Sequence, residues 1–298
     1  MTDRRDSFSP WCDVMESGAF IDEAGGVTLS GTVDPAPWWS FTKTVLAIAA
    51  LRLVESGSLS LSEPIAGARY SLRQLLRHEA GLPDYGSSPR YREDVAASRT
   101  PWPADRLLAE LQADRLRYEP GTNWAYSNIG YMEVARSIER ASGLALAAAL
   151  RRFVFAPAGL TTARLATTPA DLAGVQMGDA GDYHPGWVYH GLVVGTVEDA
   201  ARLLWMLISD GLLRPEMRAA MLERRPLPEH RSVLHPDPAY GLGLMLSATD
   251  PLNHPLGHSG EGPGSRIAVY ARGRKAAAVW TALSAERIAE TEVFRFLA

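Results

Sequence analysis

Apolar positions recur at helix period through the middle of the chain, and in short runs at both ends. Before residue 35, GAFIDEAGGVTLSGTV shows apolar and β-branched runs broken by glycine, which predicts one or two strands joined by a turn. From Ser40 to Ser56 the pattern changes. Val45, Ile48, Ala49, Leu51 and Val54 leave little polar face and Gly57 follows as a C-cap, so this helix is predicted to be buried, first turn included. Residues 71 to 230 are predicted to be mostly helical, because PADRLLAELQADRL, NIGYMEVARSIERASG and TVEDAARLLWMLISDG each carry a helix-period apolar face. In the last of these, Thr196 with Asp199 reads as a capping box and Gly211 as the stop. The loops GLPDYGSSPRY and GDYHPGWVYHG separate the helices. From Tyr240 onward YGLGLMLSA, IAVYAR and KAAAVWTAL read as strands, and AERIAETEVFRFLA as a terminal amphipathic helix.

Strands at both chain ends with helices between them predict an α/β (α+β) architecture. Its antiparallel sheet is built from both termini, with flanking helices and an inserted, mostly helical lobe. The expected division is residues 1–35 and 236–298 for the sheet lobe and 36–235 for the helical lobe, with a cleft between them where ligands commonly bind. No internal repeat or low-complexity linker interrupts this plan.

Composition narrows the function classes. A net charge of −4, a pI near 6.0 and arginines scattered among acidic residues exclude a general nucleic-acid binder. The first twenty residues have no apolar h-region and no later segment supplies an apolar run of membrane-spanning length, so a soluble, cytoplasmic protein with no membrane partner is expected. A single cysteine, Cys12, excludes an internal disulfide and suits a reducing compartment; alone in a tail, it reads as incidental rather than nucleophilic.

Among the 30 basic residues, only Lys43 and Lys275 are lysines. Arginine stays protonated, whereas a desolvated lysine can lose its proton and act as a base, so a lysine in the first turn of a buried helix draws attention to SFTK. Ser40 and Lys43 share one helix face, one turn apart, which lets the amine take the hydroxyl's proton. Alone, S-x-x-K is a weak motif.

Two further segments strengthen it. NWAYSNIGY presents Tyr126, Ser127 and Asn128 from a loop ahead of a helix, and LGHSGEGPGSR presents His258, Ser259 and Gly260 in a strand-like run. In this order the three segments resemble the motifs of the serine β-lactamase and penicillin-binding-protein superfamily. With Tyr-x-Asn second, the resemblance is nearest to class C β-lactamases, DD-peptidases, D-aminopeptidases and the esterases of that fold. LRQLLRHEAGLPDY, YEPGTNWAYSNIGYMEVARSIERASG, FAPAGLTTARL and GLVVGTVEDAARLL are also similar, so the resemblance covers roughly residues 36 to 284.

The resemblance implies that Ser40 is the acylated nucleophile, that Lys43 takes its proton or holds Tyr126 in its reactive state, and that Tyr126 is the shared acid and base. A tyrosine ionises near pH 10, so that last role needs nearby positive groups or strong donors. Asn128 would position Lys43 and the acyl side chain, and the backbone N–H groups of Ser40 and Glu261 would form the oxyanion hole. Ser259 and Gly260 would contact substrate.

Departures from the family pattern matter too. His258 stands where many β-lactamases have lysine, so a fixed positive charge for a substrate carboxylate is not assured. Glu261 stands where glycine is frequent, and an inward-pointing carboxylate would repel anions. The chain before Ser40 is short for the family, which implies a reduced or missing first helix and sheet strand. His184 and His190 flank Trp187, where a metal or a second catalytic base is conceivable; the loop reads instead as pocket lining or packing, and with no third ligand at sensible spacing no metal or other cofactor is expected. His78 reads as structural. The tryptophans read as core and cleft wall, and Tyr85, Trp187 and Tyr189 as candidates for an aromatic acyl pocket. The expected partner is a small-molecule ester or amide. A carboxylesterase acting through an acyl-enzyme on Ser40 leads, a D-amino-acid amidase or D-peptidase follows, a β-lactamase comes third, and a catalytically silent binding protein is the rival from another class.

Overall fold

The computed structural model describes residues 17–209, 211–284 and 288–298; Cys12 lies outside them. Both chain ends do supply one sheet. Strands β1 (Ser17–Ile21) and β2 (Val27–Gly31) form a hairpin, and β1 pairs antiparallel with β11 (Lys275–Ala282) from Ser17 opposite Trp280 to Ile21 opposite Ala276. The sheet continues through β10 (Ser265–Arg272), β9 (Leu256–Gly262), β8 (Met245–Ser247), β7 (Pro238–Tyr240) and β6 (Arg225–Pro226), giving eight antiparallel strands. Among the described residues the β1–β2 hairpin forms one edge of this sheet.

Alternation along the strands sorts side chains to two faces. Ala268 and Tyr270, with Ala277 and Val279, meet Val293 and Leu297 of α9 (Ala289–Leu297). Residues of opposite parity, Ile267, Val269 and Trp280, join the main core, where α7 (Val197–Ile208) packs on β1, β10 and β11. Although α7 falls inside the 36–235 segment, it belongs physically to the sheet. It starts with Thr196 Oγ1 accepting the Asp199 N–H, but the reciprocal half of the expected capping box is absent: the Asp199 carboxylate instead accepts from the N–H groups of Thr162 and Ala163 and from the Thr162 hydroxyl.

The other helices are α1 (Thr42–Glu55), α2 (Leu72–Leu76), α3 (Pro89–Ala96), α4 (Ala104–Glu110), α5 (Asn128–Ser142), α6 (Leu146–Leu150) and α8 (Pro215–Leu222). Every residue of α1 from Thr42 to Leu51 is buried, as its nearly featureless apolar pattern requires, and a 3₁₀ turn at Trp39–Phe41 leads into it. Gly143 ends α5 in the left-handed conformation. A second, three-stranded sheet joins β3 (Ala36–Pro37), β5 (Leu192–Gly195) and β4 (Arg164–Ala166). The sequence reading missed it, because short apolar runs such as LVVG read equally as helix or strand.

Two features position the site. Strand β9 pairs with β8 only at Gly257, opposite Met245, so its outer edge from His258 onward lies against the Trp39–Phe41 turn. The capping box of α2, made by Ser71 and Gln74, fixes the lead into the His78–Tyr85 loop that flanks α5.

Candidate active site

The turn that carries Ser40 is fixed by two indoles. Trp38 donates its backbone N–H to Val193 O (2.8 Å) and its Nε1–H to Gly195 O (3.1 Å), while Trp39 Nε1 donates to Ser265 Oγ (3.1 Å). The small sheet therefore holds one side of the turn and β10 the other. Trp39 adopts φ 40°, a left-handed conformation that costs a bulky residue on the order of 1–3 kcal/mol. Its ring packs edge-on to Tyr183 and over Gly262, where an added Cβ would lie 2.4 Å from the indole.

Strand β9 approaches the same turn from the sheet. A Cβ built on Gly260 would stand 2.7 Å from Ser40 N and 2.8 Å from Trp38 O, so only glycine allows this approach. The two segments carrying the expected oxyanion donors, the N–H groups of Ser40 and Glu261, thus meet at Gly260.

Around Ser40 Oγ the polar groups converge. Tyr126 donates its hydroxyl to Ser40 Oγ at 2.8 Å, and Lys43 Nζ lies 3.1 Å from the same oxygen. Lys43 Nζ also donates to Asn128 Oδ1 at 2.7 Å and stands 4.9 Å from the Tyr126 ring centre. Asn128 is the first residue of α5; Ser127 caps that helix by accepting the Gly130 N–H, and Asp84 accepts the Asn128 N–H at 2.8 Å. The YSN loop is held in turn by His78, whose Nδ1 accepts from Ser127 N–H and whose ring lies 4.4 Å from that of Tyr126.

Burial decides the protonation states. Lys43 has no exposed surface, and desolvation lowers its pKa to about 7 against the opposing charge of Asp84. Burial raises the Tyr126 phenol well above its ordinary value, further than the hydrogen bond to Ser40 lowers it. The resting arrangement therefore pairs a protonated phenol with an amine that is partly neutral at pH 7. Of the two groups, Lys43 is the one able to accept a proton, because the Tyr126 hydroxyl donates to Ser40 Oγ. His258 is buried, and desolvation followed by the nearby Lys43 charge lowers its pKa to about 3. Its Nδ1 can only donate to Ser259 O, so its Nε2 accepts from Tyr240 OH (2.9 Å), and the imidazole is neutral.

A cleft of about 610 Å³ opens over Ser40, walled by Tyr85, Tyr91, Tyr183, His190 and Glu261. Several sequence-predicted residues stand elsewhere. Trp187 is buried, with Nε1 bonded to Arg99 O, and Tyr189 bonds Trp102 O; Tyr189 packs on Tyr85 and Trp187 on Tyr91. Ser259 turns its hydroxyl to Glu290 and Tyr270 on the α9 side of the sheet. It lines a smaller hollow of about 320 Å³ shared with Tyr126, His258 and Glu261. The Glu261 side chain is largely exposed, 3.9 Å from Arg266.

Sequence reasoning set His190 aside as pocket lining or packing. It is buried, with Nε2 3.3 Å from Lys43 Nζ and Nδ1 3.2 Å from Tyr85 OH. Burial, then the charge of Lys43, holds its pKa well below the ordinary value. The only local signal was its place in the aromatic loop immediately before β5. Among the described residues no cluster of His, Cys, Asp and Glu is placed to hold a metal ion, and no helix is long and apolar enough to cross a membrane.

A family model described as Beta-lactamase matches residues 34–292, and the chain belongs to this family of serine hydrolases. Penicillin-binding protein 4* of Bacillus subtilis (strain 168) is 30% identical over 142 residues, 42% of this chain and 29% of the relative. Lovastatin esterase of Penicillium rubens is 27% identical over 279 residues, 71% of this chain and 69% of the esterase. This chain thus spans under a third of the first relative's length. The solved D-amino acid amidase from Ochrobactrum anthropi SV3, complexed with L-phenylalanine, shares the fold with a TM-score of 0.77 at 24% identity, covering 94% of this chain and 91% of that one.

Proposed function

We propose that this protein hydrolyses small, uncharged carboxylic esters through a covalent acyl-enzyme on Ser40. The observation that carries the reading is Ser40 Oγ within reach of both a buried, partly neutral amine and a phenol, Lys43 at 3.1 Å and Tyr126 at 2.8 Å. Neutral Lys43 accepts the Ser40 proton as Oγ attacks the ester carbonyl, and the carbonyl oxygen gathers charge beside the N–H groups of Ser40 and Glu261. The proton returns to the departing alkoxide through the Lys43–Tyr126 pair. Water then attacks the acyl group with the same pair as base, restoring Ser40.

Substrate charge follows from the cleft. His258, neutral and bonded on both ring nitrogens, supplies no cation for a substrate carboxylate, and Glu261 adds negative charge at the mouth. Carboxylated β-lactams are therefore poor substrates on this reading. The cytoplasmic setting proposed from the sequence points the same way, away from cell-wall peptides.

A second reading, an amidase for amino-acid amides, is favoured by the carboxylates of Asp182 and Glu261 on a cleft wall that carries one guanidinium, Arg92. Such a wall suits a substrate ammonium group. Steady-state hydrolysis of nitrophenyl butyrate, a chromogenic cephalosporin and a D-alanine anilide, with wild type and Ser40→Ala in parallel, separates the readings. Ser40-dependent turnover of the ester alone is the expected result, and preference for the anilide moves the assignment to the amidase. No turnover and no adduct on Ser40 would make the protein a silent binder.

A further inference from the structure

We propose that His190 is a positioning residue for Lys43: by accepting one N–H of the amine at Nε2, it leaves the lone pair of neutral Lys43 aimed at Ser40. This rests on the reading of Lys43 as the base for Ser40. Lys43 Nζ has three polar neighbours, Ser40 Oγ at 3.1 Å, Asn128 Oδ1 at 2.7 Å and His190 Nε2 at 3.3 Å. A neutral amine has two N–H bonds and one lone pair. Asn128 Oδ1 is an acceptor only, and an unprotonated imidazole nitrogen is the other acceptor available. With both N–H bonds engaged, the lone pair falls to the third direction, towards the Ser40 hydroxyl.

The imidazole is itself held in place. Tyr85 OH bonds Nδ1 at 3.2 Å, and with Nδ1–H donating to the phenol oxygen, Nε2 is the acceptor that Lys43 requires. Tyr85 packs in turn on Tyr91 and Tyr189, so the ring of His190 is fixed from the cleft wall. The other groups facing Lys43 cannot do this work. Tyr126 and Tyr131 present ring faces, with centroids at 4.9 and 5.6 Å, Asp84 acts on it through charge, and burial with the Lys43 charge lowers the pKa of His78 and His258.

Two substitutions divide the two contacts of His190. Gln places its amide near the position of Nε2 and keeps an acceptor for Lys43. Asn places its amide near Nδ1, keeps a partner for Tyr85 and withdraws from Lys43. Because the chain has only two lysines, protein labelled with ¹³C at lysine Cε gives two side-chain signals, and Lys275→Arg assigns them. In His190→Asn the ammonium form loses an acceptor, so the Lys43 titration midpoint falls below wild type, and acylation by nitrophenyl butyrate slows by about 100-fold as the amine loses its aim. In His190→Gln both stay close to wild type. Indistinguishable Asn and Gln variants, or an Asn variant with wild-type midpoint and acylation, would overturn the proposal. The midpoint needs no turnover, so an inert wild type would count against Lys43 as base for an esterase while the titration still decides whether His190 governs the amine.

Discussion

Lys43 Nζ stands 3.1 Å from Ser40 Oγ, one helical turn along a helix that excludes water from the amine. Desolvation brings the Lys43 pKa to about 7, so kcat/KM for a neutral ester should fall on the acid side of about pH 7 as the amine is protonated. His258, lowered to about 3, adds no second limb near neutral pH, and burial likewise holds His190 well below its ordinary value. Lys43→Arg keeps a cation but cannot release its proton, and should lose at least about 100-fold in kcat. A pH profile of both proteins checks this, and a wild-type rate in Lys43→Arg would remove the base from the account.

The same burial carries a stability cost with a definite sign. Lys43 holds its proton less tightly in the folded chain, at about 7, than at the ordinary 10.5 of a lysine. Unfolding therefore takes up a proton between those two values, and this contribution to stability is full above 10.5 and is lost as pH falls through 7. Lys43→Met should abolish turnover yet stabilise the protein at pH 7, by on the order of a few kcal/mol. The gain should shrink as pH rises towards 10, as denaturant midpoints at several pH values would report.

Gly260 lets the β9 edge touch the turn that carries Ser40. Gly260→Ala puts a methyl 2.7 Å from Ser40 N, so strand and turn must separate. The oxyanion donors then lose register, and kcat should fall by about 100-fold while the protein remains folded. Circular dichroism beside ester kinetics would separate this loss from unfolding; unchanged kcat would remove the oxyanion assignment from this edge.

Charge at His258 sets the expected choice between neutral and carboxylated substrates. His258→Lys should improve turnover of a cephalosporin relative to nitrophenyl butyrate, because it adds a cation beside Tyr126 that the neutral imidazole lacks. The ratio of the two kcat/KM values is the readout, and no gain would place the discrimination elsewhere, with Glu261 the next residue to neutralise.

The parts of the site that were legible from the sequence lie within a few residues of one another. Ser40 with Lys43 is a short-range pair at a helix start, where spacing alone fixes a shared face, while Tyr126 with Asn128, at the entry to α5, came from the resemblance. The resemblance brought the Gly260 segment to the site as a substrate contact, and the structure adds its tight approach to Ser40. What was not legible depends on distant chain segments meeting. His190 is 147 residues from Lys43, and Tyr240 bonds His258 from another strand, so no local spacing announces either. Trp187 and Tyr189 were read as cleft residues because their loop is aromatic, but aromatic composition does not say which ring faces solvent; here Tyr85 and Tyr91 take the front. In the fold, short apolar and β-branched runs set off by turns found the terminal strands, whereas β3, β4 and β5 were too short to tell from helix.

The most direct test of the central claim is mass spectrometry of protein quenched during turnover of nitrophenyl butyrate, with Ser40→Ala in parallel. The account predicts one butyryl group on the peptide that contains Ser40, absent in Ser40→Ala. Ester turnover that persists in Ser40→Ala, or an acyl group carried on another residue, would contradict it.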